Sequence, residues 1–365
     1  MSSGEHARWM RLALSLGARG LGRVWPNPAV GCVIVADGRV LGRGWTQDGG
    51  RPHAETMALA QAGAAARGAT AYVSLEPCNH HGKTPPCTEA LIASGVARVV
   101  VSLTDPDPRV SGGGLQRLRG AGVEVVTGVC AVEAEAAHRG FLTRVTQGRP
   151  MLTLKLAISA DGRIATATGE SQWITGPEAR RRVHAMRARH DAVLVGAGTA
   201  RADDPSLTVR GLGIRQQPVR VVLSRRLDLP EGSALMRSAR DVPVWLCHGP
   251  DAPQAARAGW DAAGARRIEV AAGPGGQLDL AQVMRALGEA GLTRVFCEGG
   301  GTLAAGLLAS DLVDEMAVIS AGMVMGAEGT PAVGAMGIAT LSEAPRFTLR
   351  ATHPVGGDVL SIWSR

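Results

Sequence analysis

The sequence contains very little lysine and few aromatic residues. Only two of its 39 basic residues, Lys83 and Lys155, are lysine, and there are three Phe and one Tyr. Proteins that bind single-stranded nucleic acid usually combine a concentrated basic surface with aromatic side chains that stack on the bases. Here the basic residues are scattered, so we expect no nucleic-acid partner and interpret the net charge of +7 as favouring a small anionic substrate.

Long apolar runs are also missing. No stretch reaches the roughly 18 to 20 apolar residues of a membrane helix, and residues 1–11 lack the apolar core of a signal peptide. We therefore expect no membrane partner and predict a cytoplasmic location. Six cysteines in 365 residues are too few for a disulfide framework, which favours metal-binding or catalytic roles for some of them.

Both halves of the chain alternate between strand and helix patterns, which predicts α/β folds. Strands are predicted over 30–35, 40–45, 71–75, 96–103, 123–128, 151–159, 192–195, 219–223, 242–247 and 294–297. Helices are predicted over 6–16, 55–66, 88–94, 114–121, 177–188, 278–290 and 303–308. A polar break at Gln147–Pro150 interrupts the alternation, so we predict one domain at residues 1–147 and another at 148–365.

The most specific chemical pattern is His53-Ala54-Glu55, followed by Pro77-Cys78 and then Cys87. This order of residues is typical of zinc enzymes that deaminate nucleobases. One imidazole and two thiolates suit Zn²⁺ and leave a fourth position for water, whose pKa the metal lowers. We predict that His53, Cys78 and Cys87 bind zinc and that Glu55 is the catalytic proton carrier.

Two other interpretations of these residues remain. The first is that they are unrelated, two being buried thiols and one a capping histidine. Buried core thiols are expected at the other four cysteines, Cys32, Cys130, Cys247 and Cys297. The second is a structural zinc site that includes His80 or His81. Such a closed site would leave no role for Glu55, which favours the catalytic interpretation.

The spacing of the two cysteines departs from the short C-x-x-C pattern, because eight residues separate Cys78 from Cys87. The segment Glu76–Cys87, with its two histidines, resembles the bifunctional riboflavin-biosynthesis deaminase–reductases. Further motifs similar to this family are Asn27-Pro28-Ala29-Val30-Gly31-Cys32, Lys155–Ser159 with Asp161-Gly162-Arg163, Gly169–Thr175, Asp203–Arg210 and Glu298–Leu303. Together these motifs cover about residues 25–306.

The resemblance implies an α/β protein in which a cytidine-deaminase-like zinc domain precedes a dihydrofolate-reductase-like domain. The first would hydrolyse 2,5-diamino-6-ribosylamino-4(3H)-pyrimidinone 5′-phosphate to 5-amino-6-(5-phosphoribosylamino)uracil and ammonia. The second would reduce the ribosyl group of that product to ribityl with NADPH. The residues alone do not distinguish NADPH from NADH. The resemblance also implies a homo-oligomer.

The resemblance further implies two sets of binding residues in the second half. Positions matched to cofactor contacts are Ala157, Trp173, Thr199, Asp203, Gly300, Gly301, Thr302, Leu303, Ala304, Ala305 and Gly306. Positions matched to substrate contacts are Ser171, Arg187, Leu207, Arg210 and Glu298.

Some of these positions have a chemical reason of their own. The glycines before Thr302 begin a predicted helix, where free N–H groups can bind phosphate, although such a turn is often only a turn. Arg187 and Arg210 could bind a phosphate, although the arginines around Arg187 favour a solvated face. Trp173 could cover a nicotinamide or pack in a core. Lys155 interrupts an apolar strand, and since a buried unpaired ammonium is costly, we predict that it faces the substrate cleft.

Two other functions share parts of this pattern. A deaminase that edits tRNA would use the same zinc chemistry, but the second domain and the scarcity of aromatic residues favour a small-molecule enzyme. A binding module with an inactive zinc fold would not need Glu55. We therefore predict a bifunctional hydrolase and oxidoreductase that acts on a phosphorylated pyrimidine.

Overall fold

The structure, a computed structural model, describes residues 3–81, 85–107 and 110–365. The chain divides into two compact units, Met1–Gly148 and Arg149–Arg365. Each unit contains its own β-sheet and its own hydrophobic clusters. Lys83, one of the two lysines noted in the sequence, lies outside the described residues. No helix of the described ranges is long and apolar enough to cross a membrane.

The α-helices of the described residues are α1 (Ser3–Gly17), α2 (Ala54–Ala62), α3 (Cys87–Ser94), α4 (Gly113–Gly120), α5 (Ala131–Gln147), α6 (Pro177–Arg187), α7 (Ala197–Asp203), α8 (Ala234–Arg237), α9 (Gln254–Ala263), α10 (Leu280–Glu289) and α11 (Gly301–Ala309). The strands of the first unit are β1 (Gly31–Ala36), β2 (Arg39–Trp45), β3 (Thr70–Val73), β4 (Arg98–Val101) and β5 (Glu124–Thr127). Those of the second unit are β6 (Met151–Ser159), β7 (Arg163–Ala165), β8 (Ala192–Gly196), β9 (Val219–Leu223), β10 (Val244–His248), β11 (Arg266–Glu269), β12 (Arg294–Cys297), β13 (Glu315–Ala321), β14 (Thr330–Pro331), β15 (Thr348–Val355) and β16 (Asp358–Ser364).

The sheet of the first unit has the strand order β2-β1-β3-β4-β5. Strand β1 is antiparallel to β2 and β3, whereas β3, β4 and β5 run parallel. Successive side chains of β1 point to opposite faces. Cys32 and Ile34 pack in a cluster with helix α2, and Val33 and Val35 pack in another with α1. Helices therefore cover the sheet on both faces, which agrees with the predicted α/β class.

Helix α2 lies directly on the backbone of β2. A Cβ atom at Gly42 would be 2.0 Å from the carbonyl oxygen of Ala58, and one at Gly44 would be 2.2 Å from that of Ala54. Real Cβ atoms do not approach a carbonyl oxygen so closely, so any larger residue at these two positions would move the helix away. The two glycines thus set the position of the helix that begins immediately after His53.

The sheet of the second unit has the strand order β11-β10-β9-β8-β12-β6-β13-β16-β15. The strands from β11 to β13 are parallel, β16 is antiparallel to β13, and β15 is antiparallel to β16. Strands β7 and β14 form a separate small sheet. Because β8, β12 and β6 are parallel neighbours, their carboxyl ends meet at one edge.

Buried carboxylates hold the opposite edge of this sheet together. Asp191, just before β8, accepts hydrogen bonds from the backbone N–H groups of Thr293 (2.6 Å) and Arg294 (2.9 Å). Asp314, just before β13, accepts one from Leu152 N (2.8 Å) and pairs with Arg149 through two contacts of 2.7 and 2.9 Å. These contacts fix the strand positions at the amino ends and leave the carboxyl ends available for a binding site.

Candidate functional site

His53, Cys78 and Cys87 come together at the edge of the first sheet. His53 is the N-cap of α2, Cys87 is the first residue of α3, and Cys78 lies on the segment that follows β3. Their ligand atoms all lie within 4.8 Å of one another. His53 Nδ1 is 3.3 Å from Cys87 Sγ and 3.6 Å from Cys78 Sγ. A tetrahedral zinc ion bound at about 2.0 to 2.3 Å would hold its ligands at similar separations, so the donor set and spacing fit Zn²⁺.

The surroundings of Cys78 favour its thiolate form. The backbone N–H of Cys87 donates to Cys78 Sγ over 3.4 Å, at the N-terminus of α3. A hydrogen bond from the Cys87 side chain, joined by bonds from His53 and from the Cys87 backbone, lowers the pKa of Cys78 to about 4 despite burial. A thiolate is the form of cysteine that binds a metal.

Glu55 lies in the first turn of α2 and is only 3% exposed. Burial, together with the nearby Cys78 thiolate, raises the pKa of Glu55 to about 7. A carboxyl group with a pKa near neutrality can both accept and release a proton under ordinary conditions. Its burial beside the ligand set is therefore suited to proton transfer at this site.

The alternative with a fourth protein ligand finds no support among the described residues. Neither His80 nor His81 belongs to the cluster of possible metal ligands. His81 is exposed, and its Nε2 lies 3.7 Å from Glu89 Oε1. The cluster of three side chains thus leaves a fourth coordination position for water.

Thr88, which sequence reasoning missed, holds the Cys78 segment against α3. Its backbone N–H and its Oγ1 each lie 3.3 Å from the carbonyl oxygen of Cys78, and Oγ1 is also 3.0 Å from Asn79 Oδ1. Thr88 is completely buried. A threonine one residue after a cysteine has no distinctive spacing, so the sequence offers no signal for this contact.

In the second unit Lys155, Arg187 and Glu298 form a mostly buried ion cluster at the carboxyl edge of the sheet. Arg187 Nε lies 2.5 Å from Glu298 Oε1, and Lys155 Nζ lies 3.8 Å from Glu298 Oε2. Arg187 also donates to the carbonyl oxygen of Thr208 over 2.9 Å. Burial by itself raises the pKa of Glu298, but Arg187 and Lys155 outweigh it and lower that pKa below its usual value.

Lys155 shares one face of β6 with Ala157, because alternate residues of a strand point the same way. Its neighbour Leu154 is paired with Cys297, the residue immediately before Glu298. The cluster also extends toward Asp203, whose pKa is raised by burial while Lys155 opposes that rise. The lysine in an apolar strand thus has a buried ion partner.

Helix α11 begins at a glycine turn next to helix α7. Gly300 is the N-cap, and its N–H donates to Thr199 Oγ1 over 3.2 Å. A Cβ at Gly301 would lie 2.7 Å from the carbonyl oxygen of Pro331, so this turn accepts only glycine without rearrangement. Thr302 is exposed and Leu303 is half-buried, while Gly306 lies in the second turn. Ala304 and Ala305 are buried, and their side chains pack inward.

The other residues predicted to contact cofactor or substrate differ in their exposure to solvent. Trp173 is 65% exposed and stacks under the Arg180 guanidinium at 4.5 Å, which rules out a core role. Ser171 is half-buried. Arg210 is exposed, and its backbone N–H donates to His184 Nδ1 over 3.2 Å, a contact that the sequence did not suggest. The side chain of Leu207 is buried in a hydrophobic cluster, so only its backbone is available to a ligand.

Two family profiles match the chain. Residues 3–103 match the "Cytidine and deoxycytidylate deaminase zinc-binding region", and residues 150–361 match the "RibD C-terminal domain". The two matches fall in different compact units. The predicted fold class, a cytidine-deaminase-like zinc domain followed by a dihydrofolate-reductase-like domain, is confirmed.

Similar proteins extend over nearly the whole chain. The riboflavin biosynthesis protein RibD of Escherichia coli is 44% identical over 96% of this chain and 97% of its own length, and that of Aquifex aeolicus is 40% identical over 98% of both. Acinetobacter baumannii RibD, form 1, has a TM-score of 0.89 at 38% identity, covering 100% of this chain and 99% of its own. A diaminohydroxyphosphoribosylaminopyrimidine deaminase/5-amino-6-(5-phosphoribosylamino)uracil reductase from Thermotoga maritima has a TM-score of 0.86 at 34% identity, covering 99% of each chain.

We predict that Glu298→Gln lowers the free energy of unfolding by about 3 kcal/mol, because it leaves two mostly buried cations without their anion. Chemical denaturation should show this loss, whereas Glu328→Gln, at an exposed position, should change little. The lowered pKa of Glu298 sets the pH dependence. The difference in free energy of unfolding between wild type and variant should be fully present above about pH 4.3, the pKa of a glutamate in the unfolded chain. It should shrink as the pH falls toward the lower pKa that Glu298 has in the folded protein. Equal stability of wild type and variant at pH 7 would contradict this.

Proposed function

The chain belongs to the RibD family of bifunctional riboflavin-biosynthesis enzymes, and from this membership we propose the substrate and the role of each unit. Residues 1–147 hydrolyse 2,5-diamino-6-ribosylamino-4(3H)-pyrimidinone 5′-phosphate to 5-amino-6-(5-phosphoribosylamino)uracil and ammonia. Residues 148–365 reduce the ribosyl group of that product to ribityl with NADPH. The observation that carries the proposal is the meeting of His53, Cys78 and Cys87 beside the buried Glu55.

In the deaminase unit, His53, Cys78 and Cys87 hold zinc and Glu55 moves protons. Bound Zn²⁺ supplies a water of lowered pKa. The Glu55 carboxylate accepts a proton from the attacking water and delivers it to the departing amino nitrogen. Its pKa of about 7 suits both transfers. Ammonia leaves, the second proton of the water goes to the adjacent ring nitrogen, and the ring carbon keeps the oxygen as a carbonyl.

In the reductase unit, the ion cluster binds the phosphorylated sugar. Arg187 and Arg210 attract the phosphate, while Glu298 keeps Arg187 oriented through its 2.5 Å contact. Lys155, Ser171 and the backbone of Leu207 complete the substrate contacts. The cofactor is held by α7 and by the start of α11, the helices that follow β8 and β12. Thr199, Asp203 and the segment Gly300–Gly306 lie there, and Ala157 and Trp173 complete the cofactor contacts.

The choice of NADPH over NADH is supported by cations at the end of β9. This strand is the neighbour of β8, so its carboxyl end adjoins the start of α7, the helix that carries Thr199. Ser224, Arg225 and Arg226 follow it. Arg225 is paired with Asp251 at 2.6 Å. Arg226 is exposed and has no hydrogen bond or ion pair with any residue that the structure describes, and its charge acts on Asp251 only at longer range. An arginine at this place can bind a 2′-phosphate, which NADH lacks.

We also propose a homo-oligomer and a cytoplasmic location. One face of β13, β16 and β15 is buried under α6, but on the other face Met316 pairs with Trp363, and Leu349 (48% exposed) and Val359 (42%) are uncovered. A second copy of the chain would cover these apolar side chains. The six cysteines are all free, as expected in a reducing compartment.

We predict that Cys78→Ser and Cys87→Ser each reduce the zinc content well below one ion per chain, because zinc prefers thiolate ligands. The melting temperature of the first unit should fall as well, since bound metal stabilises the fold. Elemental analysis and calorimetry would measure both effects. Cys130→Ser is the matched control and should keep its zinc. Full zinc content in both ligand variants would refute the assignment.

We predict that Glu55→Gln lowers the rate of deamination by at least about 10²-fold, because glutamine keeps the size but cannot carry the proton. Mass spectrometry of the products formed from the pyrimidinone, with and without NADPH, separates the two activities. Zinc content and reduction of the already deaminated compound should be unchanged, and exposed Glu135→Gln should behave as wild type. Equal loss of both activities would mean that the residue or the independence of the two sites is misassigned.

We predict that Arg226→Ala raises the KM for NADPH about ten- to a hundredfold, the effect of losing a charge-assisted bond of roughly 1.5 to 3 kcal/mol. The KM for NADH should not change, because NADH has no 2′-phosphate. Steady-state kinetics with each cofactor would measure this, with exposed Arg285→Ala as control. The same rise for both cofactors would exclude a contact with the 2′-phosphate.

A further inference from the structure

The buried side chain of Glu76 accepts four backbone hydrogen bonds. Its Oε1 accepts from Gly114 N (2.9 Å) and Leu115 N (3.2 Å), and its Oε2 accepts from Asp105 N (3.1 Å) and Gly112 N (3.0 Å). Glu76 is only 4% exposed. Each carboxylate oxygen thus faces two N–H groups, and among the residues that the structure describes this carboxylate binds backbone rather than an arginine or lysine side chain.

These bonds join two segments at the same edge of the first sheet. Glu76 belongs to the segment that follows β3 and leads to Cys78, whereas its donors belong to the segment that follows β4 and to the start of α4. Strands β3 and β4 are parallel, so both segments leave the sheet at their carboxyl ends. In α/β sheets this edge is where ligands bind. The carboxylate therefore connects the metal-site segment to the neighbouring segment at this edge of the sheet.

Two further contacts tighten the same junction. Asn79 Nδ2 donates to the carbonyl oxygen of Gly113 over 3.3 Å. A Cβ atom at Gly114 would lie 2.3 Å from the carbonyl oxygen of Pro77, so the start of α4 touches the backbone next to Cys78. The junction has no room for a side chain at position 114, which makes its geometry sensitive to small changes.

We propose that Glu76 is a positioning residue of the deaminase site. It fixes residues 105–107 and 110–115 beside the metal-binding residues, so that this segment forms one wall of the pocket for the pyrimidine ring. The inference rests on the proposed deamination. Glu76 does not touch the reacting atoms, and it acts through the backbone that it holds.

The chemistry of the junction requires a carboxylate. Glutamine has the same shape but replaces one acceptor oxygen with an NH₂ group, which would face two backbone N–H donors in either orientation. Aspartate keeps the acceptors but is shorter by one CH₂ group, so it cannot reach all four donors from the same backbone position. Glu76→Asp should therefore keep some of the backbone hydrogen bonds that Glu76→Gln loses.

The test measures deamination of the pyrimidinone 5′-phosphate by the full-length, zinc-loaded protein. We expect Glu76→Gln to raise the KM about tenfold or more, because the segment that it holds would no longer be positioned for the substrate, with a smaller change in kcat. Glu76→Asp should give an intermediate KM. Gly114→Ala should also raise the KM, although the carboxylate stays in place. If Glu76→Gln does not fold, the KM of Gly114→Ala tests the inference instead. Exposed Glu135→Gln is the control.

Zinc content and the reductase activity of the same preparations distinguish the possible outcomes. One zinc per chain, normal reduction and a raised KM support the inference. An unchanged KM in folded variants that merely melt earlier would overturn it, because Glu76 would then be only structural. Loss of zinc in step with activity would overturn it too, since the residue would act through Cys78. A wild-type protein without deaminase activity would instead refute the proposed function itself, and this inference with it.

Discussion

The close approach of helix α2 to strand β2 is the constraint on which the first site depends. Gly42 and Gly44 leave no space for a side chain between strand and helix, and this contact places His53 at the start of α2. Cys78 lies on the segment that follows β3, and Cys87 is the first residue of α3. Adding even one methyl group at either glycine would displace α2 and move the imidazole of His53 and the carboxyl group of Glu55 away from the thiols. Tight packing in the core thus determines the geometry of the metal site.

Both units place their reactive groups where parallel strands end, and they use the other parts of the sheet for stability. In the second unit, Asp191 and Asp314 satisfy backbone N–H groups at the amino ends of the strands. Glu298 and the glycine turn at Gly300 lie at the carboxyl ends. In a parallel sheet, all strands begin at one edge and end at the other. Carboxylates can therefore close the edge where the strands begin, while the edge where they end remains open to ligands.

Short motifs in the sequence were sufficient to predict which residues meet at the first site, and local patterns were sufficient for many elements. The His-x-Glu and Pro-Cys motifs are recognisable on their own, although His53 and Cys87 lie 34 residues apart. The predicted strand 219–223 coincides with β9, and the His-x-Glu and Pro-Cys patterns identified the residues that meet. Strands β15 and β16 were not predicted, since most of β15 is exposed and lacks an apolar alternation. The bonds of Glu76 to residues 105–115 join positions about 30 to 40 residues apart. Only the packing of β3 beside β4 brings them together, and no single-sequence pattern records that pairing.

The two sites differ in the charges that surround their buried carboxyl groups. Around Cys78 the protein collects negative groups, a thiolate with buried Glu55 nearby, and this combination raises the pKa of the carboxyl group to about 7. A divalent cation would offset such a cluster of negative groups, which fits the meeting of His53, Cys78 and Cys87 beside Glu55. Around Glu298 two cations flank one carboxylate, and Arg187 and Lys155 keep its pKa low. The phosphorylated substrate proposed for this site would meet cations that are already oriented by Glu298. The side chains of the first site are thus suited to a metal ion, and those of the second to an anion.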